Sequence, residues 1–312
     1  MPSWNDIIEE LKAEQIAQSV ITDPKNIEEL PLEKLRKKYV YQLSNYTKRN
    51  TIVYYSAWLQ KNNLSNLDIN DFDMNGFMNA VNGLDCSKGL DLVLHTPGGS
   101  PVAAESIVKY LRIKFNNDIR VIVPHLAMSA GTMIACSAKE IIMGKQSSLG
   151  PIDPQIQGIA AYNIKGEFDE AREDLQKNPQ NAAYWALLIQ KYPAAFVKTA
   201  IDAIELSDEL LRQWLKTCMF SASDEDNNIV ENIVKSLNEH SNSKNHGRHF
   251  DIDTCKKMGL KITNLEDDSF LQDAVLSIHH IYSIIFSQTS AIKIIDNQNG
   301  HAYISHSNLI RS

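Results

Sequence analysis

Two strand–turn–helix units of the same design, LHTPGG at 94–99 and AMSAGT at 127–132, constrain the fold more than any other part of this 312-residue chain. The first closes the apolar run Leu90-Asp91-Leu92-Val93-Leu94 with Pro97 and two glycines, then enters a helical pattern carrying Val102, Ile107, Val108 and Leu111. In the second unit Val121-Ile122-Val123-Pro124 leads to Ser129, Ala130 and Gly131, where another helix begins. Strands repeated this way, each followed by a helix, pair mostly in parallel through right-handed crossovers. The reading predicts an α/β fold with strands near 52–55, 90–95, 119–123 and 139–143 and helices near 72–82, 101–116 and 129–137.

The junctions also carry chemistry. Gly98 and Gly99 have no Cβ, so a substrate carbonyl can come close to their amides, and amides at a helix N-terminus favour developing negative charge. The backbone N–H groups of Gly99 and Ala130 are the candidate oxyanion donors, with Gly98 shaping the turn. Ser129 is the candidate nucleophile. Its hydroxyl needs a base to take the proton and donors to hold the oxyanion; the competing role is an ordinary N-cap. Asp153, in a turn stiffened by Pro151 and Pro154, suits either the orientation of a base or substrate, or an Asx-type turn cap.

LHTPGG, VPHLAMSAGT at 123–132 and SSLGPIDPQ at 147–155 resemble the three signature segments of the serine dehydrogenase proteinase family, a signal peptide peptidase A-like branch of the ClpP/crotonase superfamily. HGRHFDIDTCKKMGLKI at 246–262 is similar to the segment that closes the domain in these peptidases. The resemblance implies a ClpP/crotonase-like β-β-α superhelix with an N-terminal helical appendage and helical C-terminal additions. The corresponding division is an appendage at 1–48, a peptidase domain at 49–265, and a C-terminal helix and β-hairpin at 266–312 serving assembly. It also implies an ATP-independent serine endopeptidase acting on a peptide or protein through an acyl-enzyme at Ser129, built as a homo-oligomer. Clp-type enzymes use a histidine downstream of the serine, but Leu149-Gly150-Pro151-Ile152-Asp153-Pro154 contains none. The signal peptide peptidase A type uses a lysine instead, for which Lys165 lies at a suitable remove. His246 and His249 flank Arg248 in the segment that carries the third triad member in Clp-type enzymes. The preferred set is therefore Ser129, His246 and Asp153, with Lys165, His249 and His95 as alternative bases; His125 reads as a surface or interface residue.

The remaining composition narrows the alternatives. A net charge of −7 argues against general affinity for nucleic acid or anionic membrane. Four scattered cysteines suggest neither a disulfide framework nor a zinc site, and the His246/His249 pair has no third ligand nearby, so no metal or cofactor is expected. The first residues lack the layout of a secretory signal and no run of about 18 apolar residues exists, which points to the cytoplasm. Residues 3–46 read as helical with Ser3 as N-cap, and a helical stretch at 167–238 is broken at Asn178-Pro179 and Tyr192-Pro193. The polar tracts 224–228 and 239–245 read as loops, and Asn299-Gly300 as the type I′ turn of an added hairpin. Two other functions fit the same fold: an idle or partner-gated scaffold, and a crotonase-type acyl-CoA enzyme holding a thioester enolate on the same amides.

Overall fold

A computed structural model describes residues 2–19, 30–220, 224–238 and 248–307. Helices α1 (Trp4–Ser19) and α2 (Pro31–Thr47) precede β1 (Asn50–Ser56) and α3 (Asp73–Val81). The repeating core follows: β2 (Leu90–His95), α4 (Pro101–Phe115), β3 (Ile119–Val123), β4 (Leu126–Ala127), α5 (Ala130–Cys136), β5 (Glu140–Met143) and β6 (Ser148–Leu149). A small hairpin, β7 (Gln155–Ile156) and β8 (Ile159–Ala160), leads into α6 (Ala161–Lys177), α7 (Ala182–Ile189), α8 (Phe196–Trp214) and α9 (Asp224–Asn238). The chain ends with α10 (Ile252–Met258), β9 (Ile262–Asn264), α11 (Ser269–Gln288), β10 (Ala291–Asn297) and β11 (Ala302–His306). Among the described residues no helix is long and apolar enough to cross a membrane.

The central sheet runs β11-β10-β1-β2-β3-β5-β9, parallel from β1 to β9 and antiparallel at β10 and β11. Both faces are covered, which is why its central strands read as nearly continuous apolar runs. Alternation along each strand sorts residues between two cores. Ile52, Tyr54, Leu92, Leu94 and Val121 pack with α4 and α5 on one face, whereas Val53, Tyr55, Val93 and Ile122 pack with α2 and α11 on the other. Above the carboxyl ends of the long strands lies a second, short layer. Thr96 N–H donates to Leu126 O at 3.1 Å, Met128 N–H donates to Thr96 O at 3.0 Å, β4 pairs parallel with β6, and Leu149 pairs antiparallel with Phe250. Strand β3 thus steps into β4 before α5 begins, and β2 continues through the Thr96 bridge before α4, which is the β-β-α repeat.

The N-terminal helices pack on the sheet: Leu35, Val40 and Leu43 are fully buried in the second core, and the buried Arg36 ion-pairs with Asp296 of β10. An amphipathic helix looks the same in sequence whichever surface it covers. The C-terminal hairpin is likewise part of the sheet, because β10 pairs with β1. Its turn is not type I′: Gly300 has φ +82 while Asn299 keeps a negative φ, and Gly300 N–H donates to Asn297 O as Asn297 N–H donates to His301 O. That pattern is a type I turn closed by a left-handed glycine. Finally, 224–228 opens α9, whose buried face (Val230, Ile233, Val234 and Leu237) has helical period. The tract 239–245 lies outside the described residues.

Candidate active site

The site forms where β2 and β3 end, the position at which open parallel sheets bind ligands. Gly98 (φ +96) and Gly99 (φ +149) adopt backbone that favours glycine, and contact closes the remaining space. A Cβ on Gly99 would lie 2.4 Å from both Ile69 N and Ile69 O, and one on Gly98 would lie 2.5 Å from Met128 O. Ile69 brackets the turn: its N–H donates to Gly98 O at 2.7 Å, and its carbonyl accepts Ser100 N–H at 2.9 Å. Ser100 then caps α4, its Oγ accepting Ala103 N–H at 3.2 Å.

Ser129 sits at the N-cap of α5 with φ +52 and ψ −117, a conformation that costs a non-glycine residue on the order of 1–3 kcal/mol. Its side chain makes no capping bond. The surrounding structure imposes the geometry. Thr132 Oγ1 lies 2.9 Å from the carbonyl oxygens of Ala127 and Gly150 and accepts Gly150 N–H at 3.0 Å, tying the first turn of α5 to the SSLGPIDPQ segment. Gly131 packs against Thr96, where a Cβ would meet Cγ2 at 2.4 Å.

A cavity of about 530 Å³ opens in front of Ser129. Gly98, Gly99, Ala130 and Asp153 line it together with Ser129, while Met133, Ile152 and Ala203 supply apolar wall and Ser207 a hydroxyl. Among the described residues no acceptor takes the N–H of Gly99 or of Ala130. Two orphan donors beside one hydroxyl form an arrangement that can hold a tetrahedral oxyanion. Asp153 is 3% exposed. Its loop is pinned by Ile152 N–H donating to Leu237 O at 2.9 Å and Ala161 N–H donating to Pro154 O at 2.8 Å.

The candidate bases are placed differently. His246 lies outside the described residues. His249 is exposed, and its charge acts on His125 to lower the His125 pKa, after burial. Lys165 is exposed on α6 and ion-paired with Asp169 at 2.6 Å. His95 is 1% exposed, and its Nδ1 accepts Leu126 N–H at 3.3 Å. Its ring packs among Tyr55, Trp58, His125 and His279. Burial, then the charges of His279 and His125, holds His95 well below the ordinary histidine range. None of these three described candidates lines the cavity. Among the described residues no group of three or more histidine, cysteine or acidic side chains is arranged to hold a metal ion.

Several contributors escaped the sequence reading. Ile69 comes from a stretch legible only as loop, and Ala203 and Ser207 from a helix whose spacing signals burial without saying against what. Thr132 stood inside a recognised motif, but its bridge to Gly150 depends on tertiary contact.

Comparison with known proteins identifies the family. The profile of the ClpP-like SDH-type serine proteinase family matches residues 34–272. The uncharacterized protein MJ0137 of Methanocaldococcus jannaschii is 38% identical over 148 residues, which are 46% of this chain and 51% of that protein. A second uncharacterized protein of the same organism, MJ1495, is 45% identical over 84 residues, 25% of this chain and 28% of its own. The chain thus aligns with about half the length of the first relative and less of the second. With the profile covering most of its length, the chain belongs to the ClpP-like SDH-type serine proteinase family.

Proposed function

We propose that the protein is an endopeptidase that hydrolyses peptide bonds, without ATP, through an acyl-enzyme at Ser129. The observation that carries this reading is the strained backbone of Ser129 at a helix start, its hydroxyl in a cavity with the uncommitted amides of Gly99 and Ala130. In the reaction Oγ attacks the scissile carbonyl carbon while a base takes its proton. The oxyanion accepts both N–H groups, and collapse expels the amine, which the protonated base reprotonates. Water, activated by the same base, then releases the acyl group.

We assign the base to His246, oriented by the buried carboxylate of Asp153. Leu237 and Phe250, the described residues on either side of the His246 stretch, support this: both hydrogen-bond the 149–152 segment that leads to Asp153. With a histidine base, peptide hydrolysis rises through an apparent pKa of about 6–7. His246→Ala removes that limb, whereas Lys165→Ala and His249→Ala keep it. An intact limb in His246→Ala, together with inactivity in Lys165→Ala, refutes the assignment. A second reading, an idle or partner-gated protein of the same fold, draws on one observation: no histidine or lysine among the described residues lines the cavity. It predicts no hydrolysis by the isolated chain at any pH. The proposal also places the protein in the cytoplasm as a homo-oligomer; light scattering of the purified chain tests the oligomer, and cell fractionation tests the location.

A further inference from the structure

Strand β10 delivers a lysine to the protein interior. Lys293 and Asp73 are each 2% exposed, and Lys293 Nζ lies 2.7 Å from Asp73 Oδ1. Burying two charges is costly unless both are paired and their remaining bonds satisfied. Here those bonds converge on one short segment. Nζ donates to Asp68 O at 2.6 Å, and Asp73 Oδ2 accepts Asn70 N–H at 3.0 Å and Tyr54 OH at 2.8 Å. One residue before, Ser56 Oγ donates to Leu67 O at 2.6 Å. Segment 67–70 is therefore tied down on both sides of Ile69, the residue that brackets the Gly98–Ser100 turn.

We propose that the Lys293–Asp73 pair is the positioning element of the oxyanion turn, acting through Ile69 on the Gly99 amide. The inference rests on the peptidase reading for its kinetic consequence and on geometry alone for its structural one. Gly99 has no freedom to readjust, since its Cβ position is occupied by the Ile69 backbone. A shift of Ile69 is accordingly a shift of the turn. Lys293 lies beyond the stretch matched by the family profile and Asp73 within it, so the C-terminal strand supplies the cationic half of this strut. Its expected action is on the transition state: a displaced donor weakens the oxyanion bond while the ground-state peptide binds as before.

The test compares wild type with Lys293→Met alone and with Lys293→Met/Asp73→Asn, which removes the pair without stranding a charge and keeps the Tyr54 and Asn70 hydrogen bonds to residue 73. Hydrogen exchange of the Ile69 and Ser100 amides is followed alongside peptide hydrolysis. In the double variant exchange at these two amides accelerates about tenfold or more, while β2 and β3 stay protected. The value of kcat falls about tenfold or more with KM within about threefold. Unchanged exchange at Ile69 and Ser100, or hydrolysis at the wild-type kcat, overturns the inference. A wild-type protein that hydrolyses nothing, with a loosened turn in the double variant, discards the peptidase reading and retains the positioning. If Lys293→Met unfolds, the double variant alone decides.

Discussion

At Ser129 the surrounding structure holds the backbone in a conformation that a non-glycine residue rarely adopts. The residue holds φ +52 without the hydrogen bond that makes a serine a good helix cap. Glycine relieves this strain, at an entropic cost of about 0.5–1 kcal/mol, whereas alanine keeps it. Ser129→Gly is therefore predicted to be more stable than Ser129→Ala by about 1 kcal/mol, both being inactive, as read from urea midpoints. An alanine variant as stable as the glycine variant would show that the conformation is unstrained. At this scale the sequence was legible where backbone demand coincides with residue type. Gly98 and Gly99 announce a left-handed turn, but nothing in the letters around Ser129 reports a positive φ; its place at a helix start between LHTPGG and SSLGPIDPQ is what marks it as the candidate nucleophile.

Between elements, the most consequential contact is a group of histidines packed where β2, the loop before β4, and α11 meet. His95, His125 and His279 lie in mutual ring contact, His280 adjoins His279, and Tyr55 hydrogen-bonds His279 Nδ1. Burial, then the charges of His125 and His280, pushes His279 down to about 3. Burial likewise lowers His95, His125 and His280. These rings are neutral in the folded protein and protonate more readily in the unfolded chain, near the reference value of about 6.5. The unfolded state then binds more protons below that value, so stability is full above about pH 6.5 and falls as pH drops toward the folded-state values. His279 alone accounts for a loss on the order of 3 kcal/mol between pH 7 and pH 4. Thermal melts across that range are predicted to fall steeply in wild type and less in His279→Gln; equal slopes would remove His279 from the acid response. The individual strands and helices were readable from periodicity and turn residues, as at β2 and α4. Their partners were not. Neither the burial of His95 nor the insertion of β10 beside β1 follows from local pattern, because both are set by residues from other elements, some of them, His279 and β10, more than a hundred positions away.

For the whole molecule, the two faces of the sheet depend on segments that a sequence-based division would cut away. Helix α2 and helix α11 together cover the face opposite the site, and Arg36 joins α2 to β10. Deleting residues 1–48 uncovers Val53, Tyr55 and Tyr282 and leaves Asp296 without its guanidinium, a loss of about 3–5 kcal/mol for the ion pair alone. The truncated chain is predicted to unfold or aggregate, as circular dichroism and size-exclusion chromatography would register; a folded 49–312 fragment would show that the core does not depend on these helices. Lys293, on the other face of the same strand β10, pairs with Asp73 beside Tyr54 and beneath the oxyanion turn, so one strand joins the two faces. The central claim, that Ser129 is a nucleophile facing an oxyanion hole, is tested most directly by intact-mass labelling with a fluorophosphonate followed by peptide mapping. A single adduct on Ser129 in the wild-type chain, absent from Ser129→Ala, is the predicted result; no adduct, or one that persists in Ser129→Ala, would contradict it.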